Sequence, residues 1–91
     1  MNYTYGASEQ FWRAFHKLPN AQKESVRQAW KIFKEDPFDA RLRVHKINRL
    51  SAQYDRTVYA AVIEGDLRVA FYLEGSEVFT VDVGTHDIYK G

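Results

Sequence analysis

The chain contains no cysteine in its 91 residues. That excludes a disulfide scaffold, thiolate chemistry and the usual zinc-finger ligands, and it is compatible with a reducing compartment. Proline is scarce, with two residues, so Pro19 and Pro37 read as punctuation between elements. No apolar run approaches the roughly 20 residues of a membrane helix. The start, MNYTYGASEQ, lacks the basic patch and apolar stretch of a signal peptide. Net charge is almost absent at +1, too little for a surface that coats nucleic acid broadly. There is no glycine-rich phosphate loop, no serine elbow and no histidine pair at i, i+4, so the sequence offers no metal or cofactor site. The expectation is a cytoplasmic protein without membrane contact, folded as a single domain over residues 1–91.

What is present is patterned. Hydrophobic residues make up 45% of the chain and aromatic residues 15%, enough for a core without covalent staples. NYTY reads as a short edge strand ended by Gly6. Ser8 is a candidate N-cap for a helix carrying Phe11, Ala14, Phe15 and Leu18 on one stripe. Pro19 stops that helix. Asn20 is placed to cap a second helix, with Val26, Ala29, Trp30 and Phe33 on its apolar face, ended at Pro37.

Three β-rich runs follow. In DLRVAFYL, Leu67, Val69, Phe71 and Leu73 alternate with Arg68, Ala70 and Tyr72. In EVFTVDV, Phe79, Val81 and Val83 alternate with Val78, Thr80 and Asp82. EGD and EGS are short hairpin links. The predicted architecture is α+β. An N-terminal strand and a helical hairpin pack on a small antiparallel sheet, in the order β-α-α-β-β-β. The face bearing Arg68, Tyr72 and Asp82 is expected to be partly wet. Segment 38–56 reads as a long connection with a short strand or helical turn in it, and long connections in small domains are often functional.

Two places carry possible chemistry. RLRVHKINR holds Arg41, Arg43, His45, Lys46 and Arg49 without an acid, which suggests one local anionic contact or a solvated face. The end, VDVGTHDIYKG, places His86, Asp87 and Tyr89 directly after a strand. In a meander, the start of the middle strand and the end of the next share an edge, so Arg68 and His86 can approach. Arginine offers a planar fork for phosphate oxygens, histidine exchanges protons near neutral pH, and tyrosine can stack on a base. Together they fit RNA cleavage by the neighbouring 2′-hydroxyl, which needs a base, an acid and positive charge on the phosphate, and no metal. Plainer readings stand beside this one. Arg68 could pair with Glu64, Asp66 or Asp82. His86 could sit in a turn, Tyr89 could close the core, and His45 and His16 could be solvated.

The order of elements, with LP at the helical turn, DPF after it, the basic segment, DLRVAFYLEG and VGTHDIY, resembles the RelE/ParE toxin superfamily, particularly its RelE-like members. The resemblance covers nearly the whole chain. It implies the toxin of a toxin–antitoxin system, an endoribonuclease (mRNA interferase) that cuts mRNA on the ribosome, with a cognate antitoxin as partner and no cofactor. It further implies that Arg68 stabilises the phosphate, that His86 is the catalytic group after the last strand, and that Tyr89 orients the nucleotide. His45 matches a histidine found in some members. Arg43, Lys46 and Arg49 are the expected RNA contacts. The alternatives are a ParE-like toxin that blocks DNA gyrase without catalysis, and an inactive relative that binds RNA or protein.

Overall fold

The computed structural model describes residues 3–85. Strand β1 (Thr4–Ala7) leads into helices α1 (Glu9–Lys17) and α2 (Asn20–Phe33). A 3-10 turn (Ala40–Leu42) precedes β2 (His45–Lys46) and α3 (Asn48–Tyr54). The meander is β3 (Val58–Glu64), β4 (Leu67–Glu74) and β5 (Glu77–Gly84). The sheet runs β1-β5-β4-β3-β2. The meander and β2 are antiparallel, but β1 joins β5 in parallel, so the sheet is mixed. The predicted α+β order holds, and the long connection 38–56, expected to hold a short strand or helical turn, holds both β2 and α3.

Local chemistry accounts for the boundaries. Ser8 caps α1 as expected: its hydroxyl accepts from the Phe11 amide at 3.0 Å and donates to the Val81 carbonyl at 2.9 Å, so one side chain starts the helix and ties it to β5. Gly6 does not end β1 but lies inside it. A β-carbon there would meet Cδ2 of Phe79 at 3.0 Å, so the ring lies where a side chain would stand. Asn20 is the first helical residue of α2 and Pro19 is the cap, with no side-chain cap bond. Proline suits that boundary because the first turn of a helix needs no donor from it. Gly65 and Gly75 take positive φ at the middle of the EGD and EGS hairpin links, where a β-carbon would be strained.

The two sheet faces are built differently. On one, α1 rides on β5 and α2 on β3. Phe11, Phe15 and Val26 meet Leu67, Val69 and Val83, and Phe33 meets Phe71, Ala61 and Val78. The rings of Phe33 and Phe71 cross edge to face at 4.9 Å. The other face is expected to be partly wet, and is only so at its margin. There Ile47 and Leu50 lay α3 over Val58, Ala60, Ala70 and Val81, forming a second apolar cluster. Arg68, Tyr72 and Asp82 are half-buried around it.

One correction concerns β5. Simple alternation puts Phe79, Val81 and Val83 on one face. The register instead shifts beside Ala70 and Phe71: Ala70 pairs with Asp82 and Phe71 with Thr80, which leaves Val81 as an extra residue. Such a bulge resets the two-residue period. Val78, Thr80 and Val83 therefore face the hairpin, and Phe79, Val81 and Asp82 face α3.

Candidate active site

The candidate site starts at the first turn of β4. Arg68 pairs across the sheet with Val62 on β3 and with Gly84 on β5. It shares its face with Ala70, two residues on, and so lies on the α3 side, one row beyond the cluster that α3 covers. The guanidinium folds back on its own hairpin: Nη1 donates to the Gly65 carbonyl at 2.5 Å and to the Leu67 carbonyl at 3.3 Å. Its Nε–H is buried with no partner among the described residues. No ion pair among the described residues involves Arg68, so the expected pairing with Glu64, Asp66 or Asp82 is absent there. A buried donor left unpaired is costly, about 1–3 kcal/mol, so this one calls for a partner.

His45 is exposed on β2, with Nδ1 3.2 Å from the Arg43 carbonyl oxygen. It pairs with Ala60, which pairs in turn with Ala70. It therefore shares the α3 face with Arg68, but stands two strands across and two residues along, about 12 Å apart by strand spacing. Lys46 pairs with Tyr59 and points to the hairpin face, so His45 and Lys46 do not converge. Arg43 takes the left-handed conformation, φ 46°, as the 3-10 turn ends. It is exposed, as is Arg49 on α3. Arg41 is held by Asp39, whose carboxylate takes its Nε, Nη2 and backbone amide at 2.9–3.0 Å. These bonds hold the Asp39 carboxyl at about 2. His86 and Tyr89 lie outside the described residues. The strand pairing brings the chain as far as Gly84, level with Arg68 and two positions before His86.

Two more ionisable groups stand on this face: Asp82, which the sequence placed there, and Tyr54, which it did not. Asp82 is half-buried, accepts from Gln10 Nε2 at 3.0 Å and from the Val83 amide at 2.8 Å, and burial pushes its carboxyl above the ordinary range. Burial raises the Tyr54 phenol, and the nearby Asp82 charge raises it further. Simple alternation already set Asp82 on the face of Arg68 and Tyr72, and its pairing with Ala70 bears that out. Tyr54 needed α3 to be recognised as a helix. Among the described residues no three His, Cys, Asp or Glu side chains converge on a metal position, and no helix is long and apolar enough to cross a membrane.

No family model and no curated protein matches the chain. Solved structures do. YafQ in the Escherichia coli DinJ–YafQ toxin–antitoxin complex aligns over 100% of both chains, with TM-score 0.72 and 15% identity. RelE from the archaeal RelE–RelB complex of Pyrococcus horikoshii aligns over 93% of this chain and 96% of its own, with TM-score 0.70 and 18% identity. A chain of the YoeB dimer from Staphylococcus aureus aligns over 94% and 99%, with TM-score 0.67 and 13% identity. The fold is the RelE-like toxin fold. At these identities the RelE-like likeness speaks for architecture, and the side chains of the site must carry the chemistry.

Proposed function

We propose that this chain is a cytoplasmic toxin of a toxin–antitoxin pair, an endoribonuclease that cleaves ribosome-bound mRNA by attack of the 2′-hydroxyl on the adjacent phosphate. The observation that carries the reading is Arg68. It is a half-buried cation whose Nε–H has no partner among the described residues, set level with Gly84, from which the sequence runs on to His86 and Tyr89. A phosphate drawn to that corner gives the guanidinium an anion that no described residue supplies, and its positive charge grows in worth as charge builds on the pentavalent phosphorus. His86 takes the 2′-hydroxyl proton or gives one to the departing 5′-oxygen, with His45 as its counterpart for RNA lying across β3. Tyr89 orients the base. Arg43 and Arg49 hold phosphates on the flank. Lys46, on the opposite face, serves strands that wrap the β2 edge. The reaction itself calls for no metal or other cofactor.

RelE and YafQ of the similar structures are held in complexes with RelB and DinJ. By that likeness we assign this chain an antitoxin partner as well.

The test is induced expression with transcript ends mapped, for the native chain and for His86→Ala and Arg68→Ala. The reading expects discrete cuts within translated codons, and growth inhibition relieved in both variants, since loss of a proton-transfer group costs about 10²–10⁴ in rate and loss of a charge aimed at the transition state about 10²–10³. DNA damage with intact mRNA would replace it with the gyrase-blocking reading. Full toxicity of both folded variants would remove the site assignment.

A further inference from the structure

The helical hairpin does not seal onto the sheet. A cleft of about 440 Å³ opens between α1 and α2 and reaches down to the strands. Trp12 and Phe15 form one wall, Trp30 and Phe33 the other, and Ala61 and Val69 the floor. The floor is buried, whereas Trp12 is 50% exposed and Trp30 41% exposed at the mouth. The hydroxyls in the lining are already engaged: Tyr5 donates to the Phe33 carbonyl at 2.8 Å and Thr80 to the Gly6 carbonyl at 3.2 Å. The interior therefore asks for an apolar occupant.

The mouth asks for a negative one. Arg27 lines the cleft with its guanidinium over the Phe15 ring, 5.6 Å from the centroid. Its ion pair with Glu24 is long, 3.5 Å, and the Glu24 carboxylate also accepts from Gln28 at 2.9 Å. Lys23, Arg27 and Trp30 follow one another at i, i+4 and i+7, a single stripe of α2, and Lys34 caps its end. His16 sits against the Trp12 ring on the facing helix.

We propose that this cleft binds an amphiphilic anion, an acyl or aryl carboxylate whose apolar body fills the space between the helices and whose carboxylate meets Arg27. The volume lies within the roughly 300–1,000 Å³ of small-molecule sites. The cleft lies on the hairpin face, and Arg68 lies on the other, so this site stands or falls independently of the nuclease reading.

The chain has two tryptophans, and both flank the cleft, so intrinsic fluorescence reports its filling. The probe is dodecanoate, kept below its micelle concentration and titrated into the full chain. The expected result is a saturable one-to-one blue shift, with dodecanol binding roughly tenfold more weakly and dodecyltrimethylammonium more weakly still. Arg27→Gln, on the solvent side and checked by melting temperature, should reduce dodecanoate to the level of dodecanol and leave dodecanol unchanged. Ala29→Phe should fill the cleft and abolish both. Equal binding of the anionic and cationic amphiphiles, or no effect of Arg27→Gln, would overturn the proposal. So would a signal saturated by an acidic amphipathic helical peptide but not by dodecanoate, which would make the cleft a seat for a partner protein.

Discussion

The two faces of the sheet divide the work. The hairpin face is filled by large rings, Phe11, Phe15, Phe33 and Phe71, and the hydroxyls beside them are spent on backbone carbonyls. The α3 face rests on small side chains, Ala60 and Ala70 among them, under a helix of seven residues. Ionisable groups surround that small cluster: Arg68, Asp82, Tyr54 and His45. Burial of apolar area does most of the stabilising on the first face. On the second, a thinner cover leaves cations and a carboxylate near enough to solvent to meet a ligand, and burial raises the Asp82 carboxyl and the Tyr54 phenol.

That contrast can be broken from either side. The largest effect should come from Phe71→Ala. The ring is fully buried and touches Phe33, Phe38 and Tyr59, so removing it should cost about 3–5 kcal/mol in denaturant unfolding. Leu50→Ala should cost less, about 2–4 kcal/mol, but should loosen α3 in particular. Amide exchange should quicken over residues 48–54 well before it does in α1. Gly6→Ala should cost about 1 kcal/mol through the clash with Phe79, read as a lowered melting temperature.

The smallest effect is a pH dependence. The Asp82 carboxyl titrates higher in the folded chain than its ordinary 3.8 because burial disfavours the charge. The stability linked to it is therefore present below that value and is lost as pH rises through the raised one. Asp82→Asn should flatten melting temperature against pH across that interval. An unchanged slope would mean that the α3 face does not strain its carboxylate.

The hairpin face was largely legible in the sequence, because helical spacing and period-two alternation both report a single wide apolar surface. Ser8, Pro19 and the glycine links marked its boundaries for the same local reasons seen in the structure. The α3 face was harder to read. Asn48–Tyr54 carries one buried residue, Leu50, too little for a periodic stripe. Two-residue β2 is recognisable only through its pairing with β3. The bulge at Val81 moves Phe79 and Val81 to the α3 face, against simple alternation, and no run of residue types announces it. Placing Arg68 at the edge shared with the end of β5 needed only the meander rule, and its register with Gly84 agrees. Grouping His45 with Lys46 failed because neighbours on a strand point to opposite faces.

The most direct test concerns the chemistry assigned to the Arg68 corner. Purified chain would be given translating ribosomes carrying a defined mRNA, with and without a 2′-deoxy substitution at the nucleotide where the cut falls. The account predicts fragments ending in a 2′,3′-cyclic phosphate and a 5′-hydroxyl, no cut at the deoxy position, and a rate reduced by about 10²–10³ in Arg68→Ala with an unchanged melting temperature. Cleavage that continues through the deoxy position, or at full rate without the Arg68 guanidinium, would contradict it.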